Sequence, residues 1–278
     1  MNEYPEPECR YDLKNRVAIV TGAAGAIGAG ICRRLLGSNC RVSATDISAS
    51  RLDELVKKFQ EKYGSRIIGI VMDVTDPESV SQGIRKTVEI FGSLDIAVIN
   101  AGIAHVSFLK DMDINEFQKL EKVNVEGTLL MLKELGKHFE KQRTPGDIIL
   151  ISTKNVFSPG ASFGAYSSTK AAAHQLARIA SLEFAPSGIR VNMVAPDAVF
   201  SDGEIKSGLW EKIGPDRMKA RGLDEKGLEE YYRNRNLLKA KITADHVANA
   251  VLFFASRQTP TTGATLPVDG GLPDATPR

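Results

Sequence analysis

The chain has 278 residues, 42% of them hydrophobic, and its 36 basic and 34 acidic side chains leave a net charge of +2. This balance argues against a nucleic acid or an anionic membrane surface as the main partner. The length and the hydrophobic share predict one large α/β domain or two small ones, with a core that buries most of the apolar surface.

The cysteines and the N-terminus bear on the cellular setting. Three cysteines, Cys9, Cys32 and Cys40, have no CxxC spacing and predict neither a disulfide framework nor a metal site. Reduced thiols in the cytoplasm fit this usage. The opening MNEYPEPECR lacks the features of a signal peptide, and no apolar run reaches the ~20 residues of a membrane span. We expect a flexible arm over residues 1–12 and one domain over 13–278.

Short β-branched runs alternate with longer helical patterns along the chain. In chain order, the predicted strands cover 17–21, 41–44, 66–71, 95–100, 147–152, 189–195 and 264–268, and the predicted helices lie near 27–37, 49–63, 77–91, 114–140, 164–185 and 244–255. Strands separated by helices indicate βαβ units and a parallel sheet. The expected fold is a single-domain, doubly wound, Rossmann-like α/β fold. The long polar stretch at about 197–241 is predicted to be a substrate loop, with a short helix around 228–237.

The first predicted strand ends in a glycine-rich turn, with Gly22, Gly25 and Gly28 spaced three apart ahead of a helical pattern. The first glycine permits the tight turn, the second lets the backbone approach a pyrophosphate, and the third allows close helix packing. Ala26 and Ile27 begin the helix, whose N-terminal N–H groups attract phosphate. The turn predicts a dinucleotide site, although a plain glycine-rich turn has the same composition.

Asp46 ends the second predicted strand, 18 residues after Gly28. A carboxylate there can accept both ribose hydroxyls of the adenosine and would repel a 2′-phosphate. The nearest basic residues, Arg41 and Arg51, do not adjoin it, so NAD is favoured over NADP.

Two further strand ends carry weaker signals of the same site. Asp73 and Val74 follow the third strand and are candidates to bound the adenine. Asn100, Ala101 and Gly102 close the fourth strand, where the dinucleotide should pass.

Tyr166 and Lys170 lie four apart in the helical segment GAYSSTKAAAHQLARIA, and so share one helix face. A free tyrosine has a pKa near ~10, but a neighbouring ammonium favours the phenolate and lowers that pKa. Such a tyrosine can exchange a proton with a substrate oxygen while a hydride moves at carbon. The fifth strand ends in Ser152 and Thr153, either of which offers a hydroxyl beside the tyrosine. Asn124 is a candidate to hold a water that relays protons from Lys170, or is an ordinary helix-interior asparagine.

These motifs occur in one order: 21–28 (TGAAGAIG), 100–102 (NAG), Asn124, 152–153 (ST), Tyr166 with Lys170, 262–263 (TG) and 268–271 (VDGG). Together they resemble the short-chain dehydrogenase/reductase superfamily over residues 13–271. The resemblance implies a catalytic group of Asn124, Thr153 (or Ser152), Tyr166 and Lys170, with Lys170 also binding the nicotinamide ribose. It also implies that Pro196 and Ser201 contact the nicotinamide end, and that the protein forms a dimer or a tetramer.

The sequence departs from the family pattern at three places. Ala26 stands where the common TGxxxGxG has its middle glycine, and the resulting GxxGxxG spacing resembles the extended branch that includes sugar-nucleotide epimerases. Thr153 stands at the serine position, and its methyl group would narrow the site. The usual Pro-Gly after the sixth strand is Pro196-Asp197. A sugar-nucleotide epimerase or dehydratase and a non-enzymatic NAD-binding regulator therefore remain alternatives to a dehydrogenase.

A narrower likeness lies in STKNVFSPG, APDAVFSDGEIKSGLW, EEYYRNRNLL and TTGATLPVDGG. These segments resemble the dehydrogenase domain of bifunctional rhamnulose-phosphate aldolase/lactaldehyde dehydrogenase proteins and, more distantly, sorbitol-6-phosphate dehydrogenases. The likeness implies a small sugar, polyol, sugar phosphate or hydroxy-aldehyde as substrate. The candidate substrate residues are His105, Lys154, Asn155, Asp197, Arg233 and Arg235.

Overall fold

The structure is a computed structural model that describes residues 11–203 and 205–272. Its strands are β1 Val17–Thr21, β2 Arg41–Asp46, β3 Ile67–Val71, β4 Ile96–Ile99, β5 Asp147–Ile151, β6 Arg190–Pro196, β7 Ser201–Asp202, β8 Ile205–Lys206 and β9 Thr265–Val268. Its helices are α1 Ala26–Gly37, α2 Ala49–Tyr63, α3 Pro77–Phe91, α4 Ile114–Leu120, α5 Gly127–Gln142, α6 Gly164–Phe184, α7 Gly208–Arg221, α8 Glu225–Asn234 and α9 Ala244–Ala255.

Seven parallel strands form one sheet in the order β3-β2-β1-β4-β5-β6-β9. β1 pairs with β2 on one side and with β4 on the other, so the direction of winding reverses between β1 and β4. Open α/β sheets bind ligands in the crevice outside the carboxyl ends of the strands at such a reversal. The predicted single-domain, doubly wound, parallel fold is confirmed.

Helices cover both faces of the sheet. All five residues of β1 and all five of β5 are buried, as expected of strands packed between two helical layers. α1, α2 and α9 pack into the apolar cluster on one face, and α3, α5 and α6 pack into the cluster on the other. The two layers cover the central strands, whereas the edge strands β3 and β9 remain partly exposed.

The amino end of the sheet is fixed by charge. Asp147, only 3% exposed in its side chain, begins β5 and forms ion pairs with Arg16, Arg190 and Arg257 at 2.7 to 2.8 Å. Three guanidinium groups compensate one buried carboxylate, which would otherwise be costly. The charged network of Asp147 therefore lies at the end of the sheet opposite to the carboxyl ends of the strands.

The structure refines three sequence predictions. The predicted helix 114–140 consists of α4, a π-helical turn over Glu121–Glu126, and α5. The predicted substrate loop contains the β7–β8 hairpin and α7 as well as α8, which overlaps the predicted helix at 228–237. Sequence reasoning missed α7 because it contains Pro215, a residue that normally disrupts a helix interior.

The ends of the chain and the thiols complete the comparison. The predicted arm lies outside the described residues except for Tyr11, which packs against the core, and Asp12. Cys9 is also outside them, whereas Cys32 and Cys40 are buried free thiols. Over 11–203 and 205–272, no helix is long and apolar enough to cross a membrane.

Candidate active site

A crevice of about 560 Å³ opens at the carboxyl edge of the sheet. Its walls include the glycine turn after β1, the ends of β2 to β6, and residues of α6, α7 and α8. Most of the predicted site residues line it: Gly22, Gly25, Ala26, Ile27, Gly28, Asp46, Asp73, Val74, Asn100, Ala101, Gly102, Thr153, Lys154, Asn155, Tyr166, Lys170, Pro196, Asp197 and Arg235. The fold therefore collects at one edge residues that are far apart in the chain.

The turn after β1 is held tightly against the end of β4. The Thr21 hydroxyl accepts hydrogen bonds from the backbone N–H groups of Asn100 and Ala101, both at 2.9 Å. The Asn100 amide donates to the carbonyl oxygens of Thr21 and Gly22 at 2.9 and 3.0 Å. Gly22 has a φ of +61°, and a Cβ there would lie 2.9 Å from the Ala101 Cα. Only glycine satisfies both conditions.

The start of α1 faces the crevice. Gly25 is the N-cap residue and offers no side chain to its helix, which leaves backbone N–H groups at the N-terminus available to an anion. Gly28 faces the turn itself, since a Cβ there would lie 2.2 Å from the Gly22 carbonyl oxygen. The roles predicted for these glycines, phosphate approach and close packing, are compatible with this geometry.

Asp46 stands at the end of β2 beside the turn. One of its carboxylate oxygens accepts from the Ala24 N–H and the other from the Ser48 N–H, both at 3.0 Å. Each oxygen retains a lone pair toward the crevice. Arg51 also lines the crevice, with its side chain 60% exposed and 3.6 Å from a Glu211 carboxylate oxygen. Arg41 lies at the other end of β2, where it donates to the Phe91 carbonyl.

Asp73 and Val74 form the wall beyond β3. The Asp73 carboxylate accepts from both the N–H and the hydroxyl of Thr75 at 2.8 Å, which fixes the turn. Val74 is 9% exposed and packs closely on Gly127: a Cβ added at Gly127 would lie 2.9 Å from the Cγ2 of Val74. These residues present a polar and an apolar surface side by side.

Thr153, and not Ser152, is the hydroxyl beside Tyr166. The Thr153 side chain lies close enough to the phenol to lower the pKa of Tyr166. The Ser152 hydroxyl instead lies 2.9 Å from Nδ1 of the buried His174, whose Nε2 is 3.2 Å from the Thr265 hydroxyl. Of the two hydroxyls that the sequence offered, the structure therefore brings Thr153 next to the phenol and Ser152 next to His174.

Lys170 and Asn124 meet behind Gly102. The Lys170 ammonium donates to the Ile151 carbonyl at 2.8 Å. The buried Asn124 side chain accepts from the Ile103 N–H and donates to the Ile103 carbonyl, both at 2.9 Å. A Cβ on Gly102 would lie 3.2 Å from the Asn124 Oδ1 and 3.3 Å from the Lys170 Nζ. Asn124 therefore braces the wall of the crevice from a π-helical turn, a feature that is frequent at functional sites.

The expected electrostatic effect of Lys170 on Tyr166 is corrected by the structure. Burial raises the pKa of Tyr166 to about 12, although the hydrogen bond from Thr153 lowers it in part. Burial also lowers the pKa of Lys170 to about 8. Desolvation disfavours the charged form of each group. In the protein without ligands, desolvation outweighs the attraction between the Lys170 ammonium and the Tyr166 phenolate that the sequence suggested.

Two of the predicted cofactor and substrate contacts point elsewhere, and a third lies in a separate hairpin. His105 is directed toward Glu116, with Nδ1 3.9 Å from its carboxylate. Arg233 donates to the Lys239 carbonyl at 2.8 Å. Ser201 pairs with Lys206 in the two-stranded hairpin. None of the three lines the crevice. Ser201 and Arg233 belong to the 197–241 stretch, which folds into its own helices and hairpin.

Sequence reasoning missed two charged residues of α7 that line the crevice, Lys212 and Arg217, and the aromatic surroundings of Arg217. Arg217 of α7 is 6% exposed, lines the crevice, and stacks at 4.7 Å over the ring of Phe163. Trp210 and Tyr232 also line the crevice, with ring centroids 5.0 Å apart. The aromatic residues of the 197–241 stretch could have indicated an apolar wall in the sequence, but their direction toward the crevice becomes clear only from the position of α7 and α8.

The described residues contain no cluster of three or more histidine, cysteine, aspartate or glutamate side chains that is placed to hold a metal ion. The polar groups of the crevice fit a dinucleotide instead. They combine a glycine turn at a helix N-terminus, a carboxylate at the second strand and a Tyr–Lys pair near the fifth.

A parallel sheet with a glycine turn at its switch point and a Tyr–Lys pair beside the fifth strand fits a dinucleotide-dependent oxidoreductase. The short chain dehydrogenase family profile matches residues 16–212, and the chain belongs to this family. Members of the family bind a nicotinamide cofactor and act on alcohols or ketones.

Several characterised and uncharacterised proteins are similar to the chain. YuxG of Bacillus subtilis, an uncharacterized oxidoreductase, is 34% identical over 97% of this chain, which spans only 39% of that longer protein. Diacetyl reductase, (S)-acetoin forming, of Staphylococcus epidermidis is 32% identical over 93% of this chain and 98% of its own length. The crystal structure of sorbitol-6-phosphate 2-dehydrogenase SrlD from Erwinia amylovora matches with a TM-score of 0.84 and 27% identity, covering 92% of this chain and 98% of that one.

The glycine turn yields a paired prediction. Gly28→Ala should lower the free energy of unfolding by about 2 kcal/mol or more, because its Cβ has no space beside the Gly22 carbonyl. Gly25→Ala should change it by less than about 0.5 kcal/mol, since the nearest atom to its Cβ is 3.6 Å away. Gly25→Ala should nevertheless weaken NADH binding. Urea unfolding and NADH fluorescence titration measure the two effects, and wild-type NADH affinity in Gly25→Ala would contradict the assignment.

Proposed function

We propose that the protein is an NAD-dependent dehydrogenase or reductase that moves a hydride between the nicotinamide and a small hydroxyl- or carbonyl-bearing substrate. The observation that carries the proposal is the Tyr166 phenol, beside Thr153 and one helical turn from Lys170, in the wall of the crevice that also contains the glycine turn. A nicotinamide supplies or accepts the hydride. The protein's own groups supply the proton transfer and the positioning.

The residues divide this work according to their contacts. In the oxidation direction the Tyr166 phenolate accepts the proton of the substrate hydroxyl, and in reduction the neutral phenol donates its proton to the carbonyl oxygen. The Thr153 hydroxyl accepts a hydrogen bond from the Asn155 N–H at 3.3 Å, which leaves its one proton for the phenol oxygen or for the substrate oxygen. When its amine is protonated, Lys170 contributes a buried positive charge that favours the phenolate form of Tyr166. Asn124 holds the Ile103 backbone and so positions the wall behind Lys170.

The preference for NAD rests on Asp46. Its carboxylate is fixed between two backbone N–H groups and can accept the ribose hydroxyls of the adenosine, whereas a 2′-phosphate would meet its negative charge. Arg51 is the one cation near this position that lines the crevice among the described side chains, and Glu211 already lies beside it. We therefore assign NAD as the cofactor and NADP as a weaker alternative.

The substrate class is supported by the relatives and by the polar wall of the crevice. One relative is named for a small hydroxyketone and another for a sugar alcohol phosphate. Lys154 and Asn155 follow the catalytic strand and line the crevice, where they are placed to meet hydroxyl groups. We propose a sugar, polyol, sugar phosphate or hydroxy-aldehyde, with lactaldehyde among the compounds to test. Hydride transfer within a sugar nucleotide is the second candidate, favoured only by the GxxGxxG spacing of the turn.

We also propose that the protein is a cytoplasmic homodimer or homotetramer. Its neighbouring helices α5 and α6 leave Leu129, Ile179 and Leu182 exposed by 48%, 41% and 76%. Apolar side chains grouped on adjacent helices are typical of a surface that another subunit covers.

Tyr166→Phe tests the proposed function. The variant should lose at least about 100-fold in turnover, because no other group takes the proton, while its NADH affinity stays nearly unchanged. Tyr63→Phe, at the end of α2 and outside the crevice, is the matched control. Turnover is read as net NADH formation from a panel of alditols, alditol phosphates and lactaldehyde. Full activity in Tyr166→Phe, or conversion of a sugar nucleotide without net NADH, would contradict the proposal.

Asp46→Ala tests the cofactor assignment. The variant should bind NAD more weakly and discriminate less against NADP, because the carboxylate is gone while Arg51 remains to meet a 2′-phosphate. The ratio of kcat/KM for the two cofactors measures the effect. Asp53→Asn, exposed on α2, serves as the control. An unchanged ratio in Asp46→Ala would show that Asp46 does not select the cofactor.

A further inference from the structure

We propose that the substrate carries an anionic group, a phosphate, sulfonate or carboxylate, and that Arg217 and Lys154 form its subsite beside Tyr166. The inference rests on the proposed function and narrows its substrate class. Its basis is a buried guanidinium in the wall of the crevice without a compensating carboxylate among the described side chains.

Arg217 is held by aromatic groups rather than by an anion. It is 6% exposed and stacks over Phe163, and its Nη2 donates weakly to the Tyr232 hydroxyl at 3.4 Å. Its buried Nε has no hydrogen-bond partner among the described residues. A buried charge without a partner is costly, and a buried donor without an acceptor adds to that cost. A bound anion would remove both costs.

The neighbouring Arg235 shows the contrast. It also lines the crevice, but its guanidinium forms two hydrogen bonds with the Asp197 carboxylate, through Nη2 and through Nε. Its charge is therefore compensated within the protein. Arg217 forms no such ion pair among the described side chains, so its charge is the one that a bound anion would compensate.

Lys154 adds a second cation to the same end of the crevice. It is 9% exposed, and its ammonium donates to the Ser158 carbonyl at 2.9 Å. Burial, followed by the nearby positive charge of Arg235, lowers its pKa to about 8. An anion in contact with Lys154 would favour its charged form. Lys154, Arg217 and Arg235 thus line the crevice together, and the carboxylates of Asp197 and Asp269 offset part of the positive charge around Lys154.

The position of Arg217 suits a substrate group rather than the pyrophosphate of the cofactor. The Phe163 ring is in contact with both groups: its centroid lies 4.7 Å from the Arg217 guanidinium carbon and 6.1 Å from the centroid of the Tyr166 ring. The glycine turn is a separate anion site at the start of α1. Ile213 and the aromatic residues keep the subsite apolar, which strengthens a charge-assisted hydrogen bond to a guanidinium.

A calorimetric titration of the NADH-loaded protein tests this subsite without turnover, because an alcohol and the reduced cofactor cannot react. The ligands are glycerol, glycerol 3-phosphate, glycerate and inorganic phosphate, all at constant ionic strength. NADH at saturation fills the glycine turn. The wild type should bind glycerol 3-phosphate or glycerate at least about tenfold more tightly than glycerol. Equal affinity for glycerol and both anions would overturn the proposal.

Variants assign the preference to the two cations. Arg217→Gln should lose most of it, whereas Arg221→Gln, one turn later on α7 and outside the crevice, should keep it. A preference retained in Arg217→Gln would overturn the assignment. If Arg217→Gln no longer binds NADH, Lys154→Met decides, and an undiminished preference there would likewise overturn it.

This result is separable from the proposed function. Tyr166→Phe should keep the preference for the anionic ligand while losing turnover. A wild type that prefers the anion but turns over no compound would leave the subsite standing and refute the dehydrogenase. A wild type that oxidises neutral alcohols but binds glycerol and the anionic ligands equally would support the dehydrogenase and refute the anion subsite.

Discussion

The hydrogen bonds between Thr21 and Asn100 are the constraint on which the site depends. They join the carboxyl ends of β1 and β4 at the point where the winding of the sheet reverses, and they press Gly22 against Ala101. The two half-sheets cannot separate there without breaking these bonds. The crevice, its glycine turn and the strands that carry the catalytic groups are all positioned relative to this junction.

Burial is the second determinant, and it acts against charge. It raises the pKa of Tyr166 and lowers that of Lys170, so the free protein disfavours both charges that proton transfer requires. The same desolvation makes each added charge more effective once it is present. The positive ring of an oxidised nicotinamide, or an anionic substrate group, would therefore shift the pKa values of Tyr166 and Lys170 more in this crevice than at an exposed site.

Much of this arrangement could be predicted from the sequence, since the strands, the glycine spacing and the Tyr–Lys pair are local patterns with fixed structural consequences. The fold prediction is confirmed, and nineteen of the predicted residues line the crevice. What the sequence left open or missed depends on tertiary contacts. The choice between Ser152 and Thr153 was left open because it depends on which side chains surround each hydroxyl. The helix α7, which positions Arg217, was missed because it contains a proline. No local pattern shows that His105 turns toward Glu116.

The central claim is that the nicotinamide lies beside the Tyr166 hydroxyl at the carboxyl edge of the sheet. A crystal structure of the complex with NADH tests it most directly. The account predicts the adenosine ribose on Asp46, the pyrophosphate at the start of α1, and room for one small molecule between the nicotinamide ring and the Tyr166 oxygen. A nicotinamide bound away from Tyr166, or one that leaves no such space, would contradict it.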